Sequence, residues 1–186
     1  MAPVIIATDK TQLTQFSGNK SAYPIYLIIG NIPKSICRKP SKKACILIGY
    51  LSVDKINRKH LTEMAYRSQM QRLFHESMHI VLEPLIKAGH NGVEMISTDG
   101  AVCLVFPILS CYIADYPEQC LVTCTKYGTC VKCKAKAVEL QDPQPKEACS
   151  QAWVENILKE AHSLAGQNSR TFYNHCMSHE IAGGVF

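Results

Sequence analysis

A mixed α/β domain is the fold class this sequence predicts, on three observations. Short apolar runs near the N-terminus are separated by brief polar connections. The apolar spacing then changes to a helical period over a long stretch. A later apolar run, Ile108 to Ala114, delivers one acid, Asp115, directly before Tyr116-Pro117. Short apolar runs bounded by turn residues read as strands. Proline removes a backbone donor and disfavours helix at the residue before it, so the late strand is expected to end near Asp115. An acid at the end of a buried strand is where α/β sheets place working side chains.

The elements follow in order. Pro3 to Thr8 is the first strand, closed by Asp9; on spacing alone Asp9 reads as a turn or cap residue. A domain that opens on a core strand with no lead-in reads as cut from something longer. Gln15 to Ala22 is a polar turn around Gly18 and Asn19. Tyr23 to Ile29, rich in β-branched and aromatic residues, is a second strand, broken by Gly30-Asn31-Ile32-Pro33. Lys34, Arg38, Lys39, Lys42 and Lys43 then form a basic run without an acid. It reads first as a solvated loop, with phosphate contact as the alternative. Ala44 to Val53 is a third strand, and short connections make the three an antiparallel meander.

From about Asn57 to Ala88 the apolar residues Leu61, Met64, Phe74, Met78, Leu82 and Leu85 keep helical spacing, with Pro84 expected to kink the last turn or begin a separate one. Val93 to Ser97 and Ala101 to Phe106 flank Thr98-Asp99-Gly100, a hairpin signal. After the strand bearing Asp115 comes a cysteine loop. Gln141 to Pro145 is a linker, and Lys146 to Leu164 is a closing amphipathic helix with a stripe of Trp153, Ile157, Ala161 and Leu164. Residues beyond Ala165 carry no pattern.

Composition bounds the function. The chain has 186 residues, 47% apolar and 19% charged, which suits one soluble domain with a core. A net charge of +5 permits nucleic-acid contact without arguing for it. No run approaches the ~18 apolar residues of a membrane span, and the N-terminus lacks a signal-peptide layout. The chain holds ten cysteines, which without a leader points to a reducing compartment, and so to core thiols or metal ligands. Cys37, Cys45, Cys103 and Cys111, in or beside apolar stretches, are expected to be buried hydrophobes.

Three constellations carry candidate chemistry. His75-Glu76-Ser77-Met78-His79 reads H-E-x-x-H, but no third ligand of recognisable spacing follows it. Cys130-Val131-Lys132-Cys133 could be a redox pair beside lysines, yet it does not open a helix in a βαβ unit. The same pair is a common half-site for zinc, which takes four ligands. Cys124 is the best third ligand and Cys120 the next, with Cys149 or His162 as candidates for the fourth.

The motifs go further than the pattern. Thr8-Asp9-Lys10-Thr11-Gln12-Leu13-Thr14, Phe16 to Lys20, Tyr23-Pro24-Ile25-Tyr26 and Gly30 to Lys34 resemble the opening of the fungal Plavaka transposases. These are DDE-type elements related to the KDZ and CACTA (EnSpm-like) groups. The likeness continues through Phe74 to Met78, Gly92 to Met95, and Ala114 to Cys120 with the Cys130/Cys133 pair, covering about residues 3–140.

The resemblance implies an RNase H-like fold: a three-strand antiparallel meander, a helix, a further strand and a closing helix, with an inserted zinc-binding loop over residues 120–133. Residues 141–165 would be linker and helix, and 166–186 an irregular tail outside the family. Asp9 and Asp115 match the family's first two acids, which hold Mg²⁺ or Mn²⁺ for DNA strand cleavage and transfer; Glu118 is a structural neighbour. Zinc falls to Cys124, Cys130 and Cys133, with Cys120 weaker. The third acid of the pattern has no match among Glu155, Glu160 and Glu180. Val131 stands where the family has proline, and Cys37 and Leu104 where basic residues are expected. The resemblance therefore implies an incomplete, inactive core fragment. Its partners would be DNA and further copies of the chain, with no membrane, in the nucleus or cytoplasm and not secreted. The alternative is a non-enzymatic zinc-binding remnant that binds DNA or another partner.

Overall fold

A computed structural model describes residues 1–14, 18, 20–54 and 56–182. Of the expected polar turn, Gln15 to Ser17 and Asn19 lie outside the described residues. The chain is mixed α/β and divides into two compact units, Met1–Lys55 with Glu76–Ala114, and Ile56–His75 with Asp115–Phe186.

The first unit is built on a sheet. Strands β1 (Ala2–Thr8), β4 (Pro24–Ile29), β5 (Cys45–Tyr50) and β8 (Pro107–Ile113) lie in the order β5-β4-β1-β8. β1 pairs antiparallel with β4, and β4 antiparallel with β5, as the short connections require. β8 joins the other side of β1 in parallel, which needs a long crossover. Helix α2 (Glu63–Asn91), shared between the units, and the hairpin of β6 (Val93–Ile96) and β7 (Val102–Val105) lie in that crossover.

Alternation along β1 buries Val4, Ile6 and Thr8, and Ile25, Leu51 and Met78 of the same unit are buried as well. Pro84 is accommodated inside α2. The helix stops at Gly92, whose φ of +75° is the left-handed conformation that glycine adopts freely after a helix end. β2 (Thr11–Gln12) pairs antiparallel with β3 (Ser21–Ala22), the second of which lies inside the stretch Gln15 to Ala22 that the sequence reads as turn. Helix α1 (Lys34–Cys37) is a single turn in the basic run.

Four cysteines depart from expectation: Cys37, Cys45, Cys103 and Cys111 are exposed, not buried. The reason is position. Cys45 and Cys111 lie on the two outer strands of the sheet, Cys103 on a two-stranded ribbon, and Cys37 on the one-turn helix. An apolar run in an outer strand has the same sequence signature as one in a central strand.

The second unit is largely helical and loop. Helix α3 (Tyr116–Val122) starts at once after Asp115, where the sequence reads as the start of a loop. Helix α4 (Gln151–Ala165) buries Ile157, Leu158 and Ala161 against Phe172, Cys176 and Ile181. The expected stripe shifts by one position: Leu158 is buried, while Leu164 is 64% exposed. Residues 166–186 are not wholly irregular. Helix α5 (Ser169–Ser178) is capped by Asn168, whose side chain accepts from the Arg170 and Thr171 amides, and its apolar face pairs Phe172 with Cys176 one turn apart. Among the described residues, no helix is long and apolar enough to cross a membrane.

Candidate functional site

The two acids singled out by the sequence follow the last paired residues of neighbouring strands. Ala7 of β1 pairs with Ile113 of β8; Asp9 comes two residues after the first, and Asp115 two after the second. The strand ends are tied by a hydrogen bond of 2.7 Å between the Thr8 hydroxyl and the Tyr112 phenol. Thr8 is only 4% exposed, so this bond satisfies a hydroxyl that burial would otherwise penalise.

Both acids are exposed, but they are held differently. The Thr11 hydroxyl donates to Asp9 Oδ2 at 3.2 Å across an open turn. Asp115 is the N-cap of α3, its Oδ1 accepting from the Glu118 amide at 3.0 Å. An ionised carboxylate offers about four acceptor positions, so neither bond exhausts its capacity for a cation. Hard oxygen donors of this kind suit Mg²⁺ or Mn²⁺. Glu118 itself is buried in the first turn of α3.

The cysteines separate into two environments. Cys120 and Cys124 are buried at 4% and 7% exposure. Cys124, in a left-handed conformation with φ of 55°, ends α3. Its sulfur lies 3.5 Å from His75 Nε2, which is also 2.9 Å from the Leu121 carbonyl. Burial pushes the Cys124 thiol up to about 11. The first histidine of the H-E-x-x-H motif thus meets the end of α3, a structural contact.

Cys130, Cys133 and Cys149 are only partly buried. An isolated β-bridge pairs Cys133 with Ala148, and the Cys149 amide donates to the Lys132 carbonyl at 3.0 Å. The Lys132 amide donates to Cys130 Sγ at 3.4 Å. Burial opposes ionisation of Cys130, but bonds from the Lys132 amide and from Cys133 outweigh it and the thiol is lowered overall. Cys149 is raised, first by burial and then by the charges of Cys133 and Cys130. Burial alone shifts Cys124.

Cys124, Cys130, Cys133 and Cys149, with His179, line one cavity of ≈ 340 Å³. His162, the other sequence candidate for a fourth ligand, is exposed, and its ring stacks on Phe172 at 4.6 Å. His179 escaped the sequence reading because it ends a helix whose pattern is too short to recognise. Among the described residues, no group of three or more His, Cys, Asp or Glu side chains is already arranged to hold a metal ion.

Comparison with known proteins gives one answer. The family model for Plavaka transposase matches residues 1–185, which carries the likeness well past residue 140 and through the tail that the motifs alone left out. No curated protein and no solved structure matches the chain. The chain belongs to the Plavaka transposase family.

Proposed function

We propose that this chain is part of a DDE-type transposase core with an RNase H-like sheet, in which Asp9 and Asp115 are the first two metal-binding acids. One observation carries the reading. Ala7 and Ile113 are paired on neighbouring parallel strands, and each acid follows its paired residue by two positions in sequence. Two such carboxylates suit a pair of divalent cations about 3.5–4 Å apart. The antiparallel meander with a fourth strand parallel to the first supports the fold assignment. The DDE subtype and a fungal source rest on the sequence resemblance alone.

When bound, the ions would activate the attacking water or 3′-hydroxyl and stabilise the leaving oxygen. The chain's own part is to fix two carboxylates. Asp115 is oriented by the Glu118 amide, and the Thr8–Tyr112 bond ties the strand ends that carry both acids. Two acids under-coordinate such a pair, so the 186-residue chain alone is expected not to cut DNA. Supercoiled plasmid with Mg²⁺ or Mn²⁺ tests this: no nicking is expected, and nicking that disappears in Asp115→Asn would overturn the claim of inactivity. DNA as partner, further copies of the chain, and action in the nucleus or cytoplasm belong to the same reading.

A second reading, a zinc-stapled module that binds DNA or a partner without catalysis, draws on the bridge that pairs Cys133 with Ala148, the neighbour of Cys149. C-x2-C from one turn is a common zinc half-site. In this reading Cys149 is the third ligand in place of Cys124, whose sulfur lies against His75. Elemental analysis of protein purified without chelator is expected to find zinc in the wild type and in Cys124→Ala. Cys130→Ser/Cys133→Ser should lose it. Wild-type protein without zinc, all its partly buried thiols freely reactive, would end this reading.

A further inference from the structure

The charge of this chain is unevenly distributed. Residues 10–53 hold seven lysines and arginines and no aspartate or glutamate, so the remainder, thirteen cations against fifteen acids, is net −2. Five of the seven, Lys34, Arg38, Lys39, Lys42 and Lys43, lie in the connection between β4 and β5, and all five are exposed. Elsewhere cations meet carboxylates, as in Lys126–Glu180 at 2.9 Å and Lys134–Glu147 at 2.6 Å. Among the described residues, none of the five sits in an ion pair.

The connection is also shaped. The Ile36 and Cys37 amides donate to the Pro33 carbonyl, and the Arg38 amide to Lys34, closing α1. Lys34 and Arg38, four residues apart, share a face of that turn. A 3-10 turn, Pro40–Lys42, follows, and Lys43 takes a left-handed conformation with φ of 49°. Ten residues thus present five cations from a hydrogen-bonded scaffold, which lowers the ordering entropy of meeting a polyanion.

We infer that this connection is a docking element for the phosphate backbone of duplex DNA, separate from the acids. The inference rests on the transposase reading, which makes DNA the polyanion. Its separation follows from the topology. The Gly30 amide donates to the Pro3 carbonyl at 2.7 Å, so the connection leaves the sheet where β1 begins, whereas Asp9 follows the end of β1. A seven-residue strand spans roughly 20 Å. The element contacts phosphates and not bases, so it contributes affinity without sequence preference.

The test is fluorescence anisotropy on the full chain without divalent metal, using a random-sequence duplex of about 30 bp at salt from about 50 to about 200 mM. Wild type is compared with a variant carrying Lys34→Gln, Arg38→Gln, Lys39→Gln, Lys42→Gln and Lys43→Gln. Each phosphate contact contributes about 0.9 to the slope of log affinity against log salt, so the variant should lose about 3 to 4.5 of it and bind at least about tenfold more weakly. Its circular dichroism should overlay that of the wild type, because the replaced side chains are exposed. A wild type that binds duplex with the same slope as the variant overturns this inference and leaves the transposase reading standing. A wild type that binds no DNA overturns both. Tighter binding to phosphatidylserine vesicles than to duplex overturns the assignment of the partner.

Discussion

Two turns carry the proposed acids, and the chain holds them in opposite ways. The turn after β1, from Thr8 to Gln12, fixes Asp9 through one hydroxyl bond at an exposed position. The segment after β8, from Asp115 to Cys124, is a helix fastened at both ends. Asp115 caps its start, while His75 meets the Leu121 carbonyl and the Cys124 sulfur at its finish. One proposed metal ligand is therefore free of structural duty, and the other is part of a fold element. Substitutions that treat the two alike will confuse loss of metal with loss of structure.

The largest effect is expected at the fastened end. The Cys124 thiol is raised from an ordinary 9.0 to about 11. Below pH 9 the thiol is protonated folded and unfolded, and its contribution is fully present. Between 9 and 11 only the unfolded state ionises, so stability falls; above 11 the loss levels off. A two-unit gap corresponds to about 2–3 kcal/mol. Denaturant midpoints of wild type and Cys124→Ala should diverge over that window, with the wild type losing more. Parallel curves would mean that Cys124 is not shielded as described.

Capping comes next. Asp115→Ala removes the acceptor for the Glu118 amide and should destabilise by about 1 kcal/mol, while Asp115→Asn, a good cap, should stay close to the wild type. Both should lose Mn²⁺ binding, which separates the two duties of one carboxylate. An Asn variant as unstable as the Ala variant would break the comparison. Thr8→Val removes the hydroxyl that meets Tyr112 and should destabilise by about 0.5–1.5 kcal/mol. Combining it with Tyr112→Phe should destabilise by less than the sum, because both lose the same bond. The smallest effect is at the open turn: Asp9→Asn should change stability by less than about 0.5 kcal/mol, as surface substitutions do, yet also abolish Mn²⁺ binding.

Much of this was legible in the sequence, and what was not has a physical reason. β1, β4, β5 and β8 fell within a few residues of their β-branched and apolar runs, and Asp99-Gly100 marked the β6–β7 hairpin. Helix α3 was missed although Asp115-Tyr116-Pro117-Glu118 has an N-cap, a first-turn proline and a first-turn acid. The spacing of the following cysteines suggested a loop instead. Helix α5 buries only Phe172 and Cys176, too few positions to show a period. The exposure of Cys45 and Cys111 depends on strand order, which local composition does not encode. Cys133 pairs with Ala148, and the Cys149 amide meets the Lys132 carbonyl, across a separation that no local spacing reveals.

The central claim is that Asp9 and Asp115 share one divalent-metal site. The most direct measurement is paramagnetic broadening of backbone amide signals on titration with Mn²⁺ in isotopically labelled protein. The account predicts that amides around Thr8–Lys10 and around Ala114–Tyr116 broaden together at the same Mn²⁺ concentration, and that Asp9→Asn or Asp115→Asn abolishes both effects. Broadening confined to one of the two segments, or persisting at one after the other acid is replaced, would contradict it.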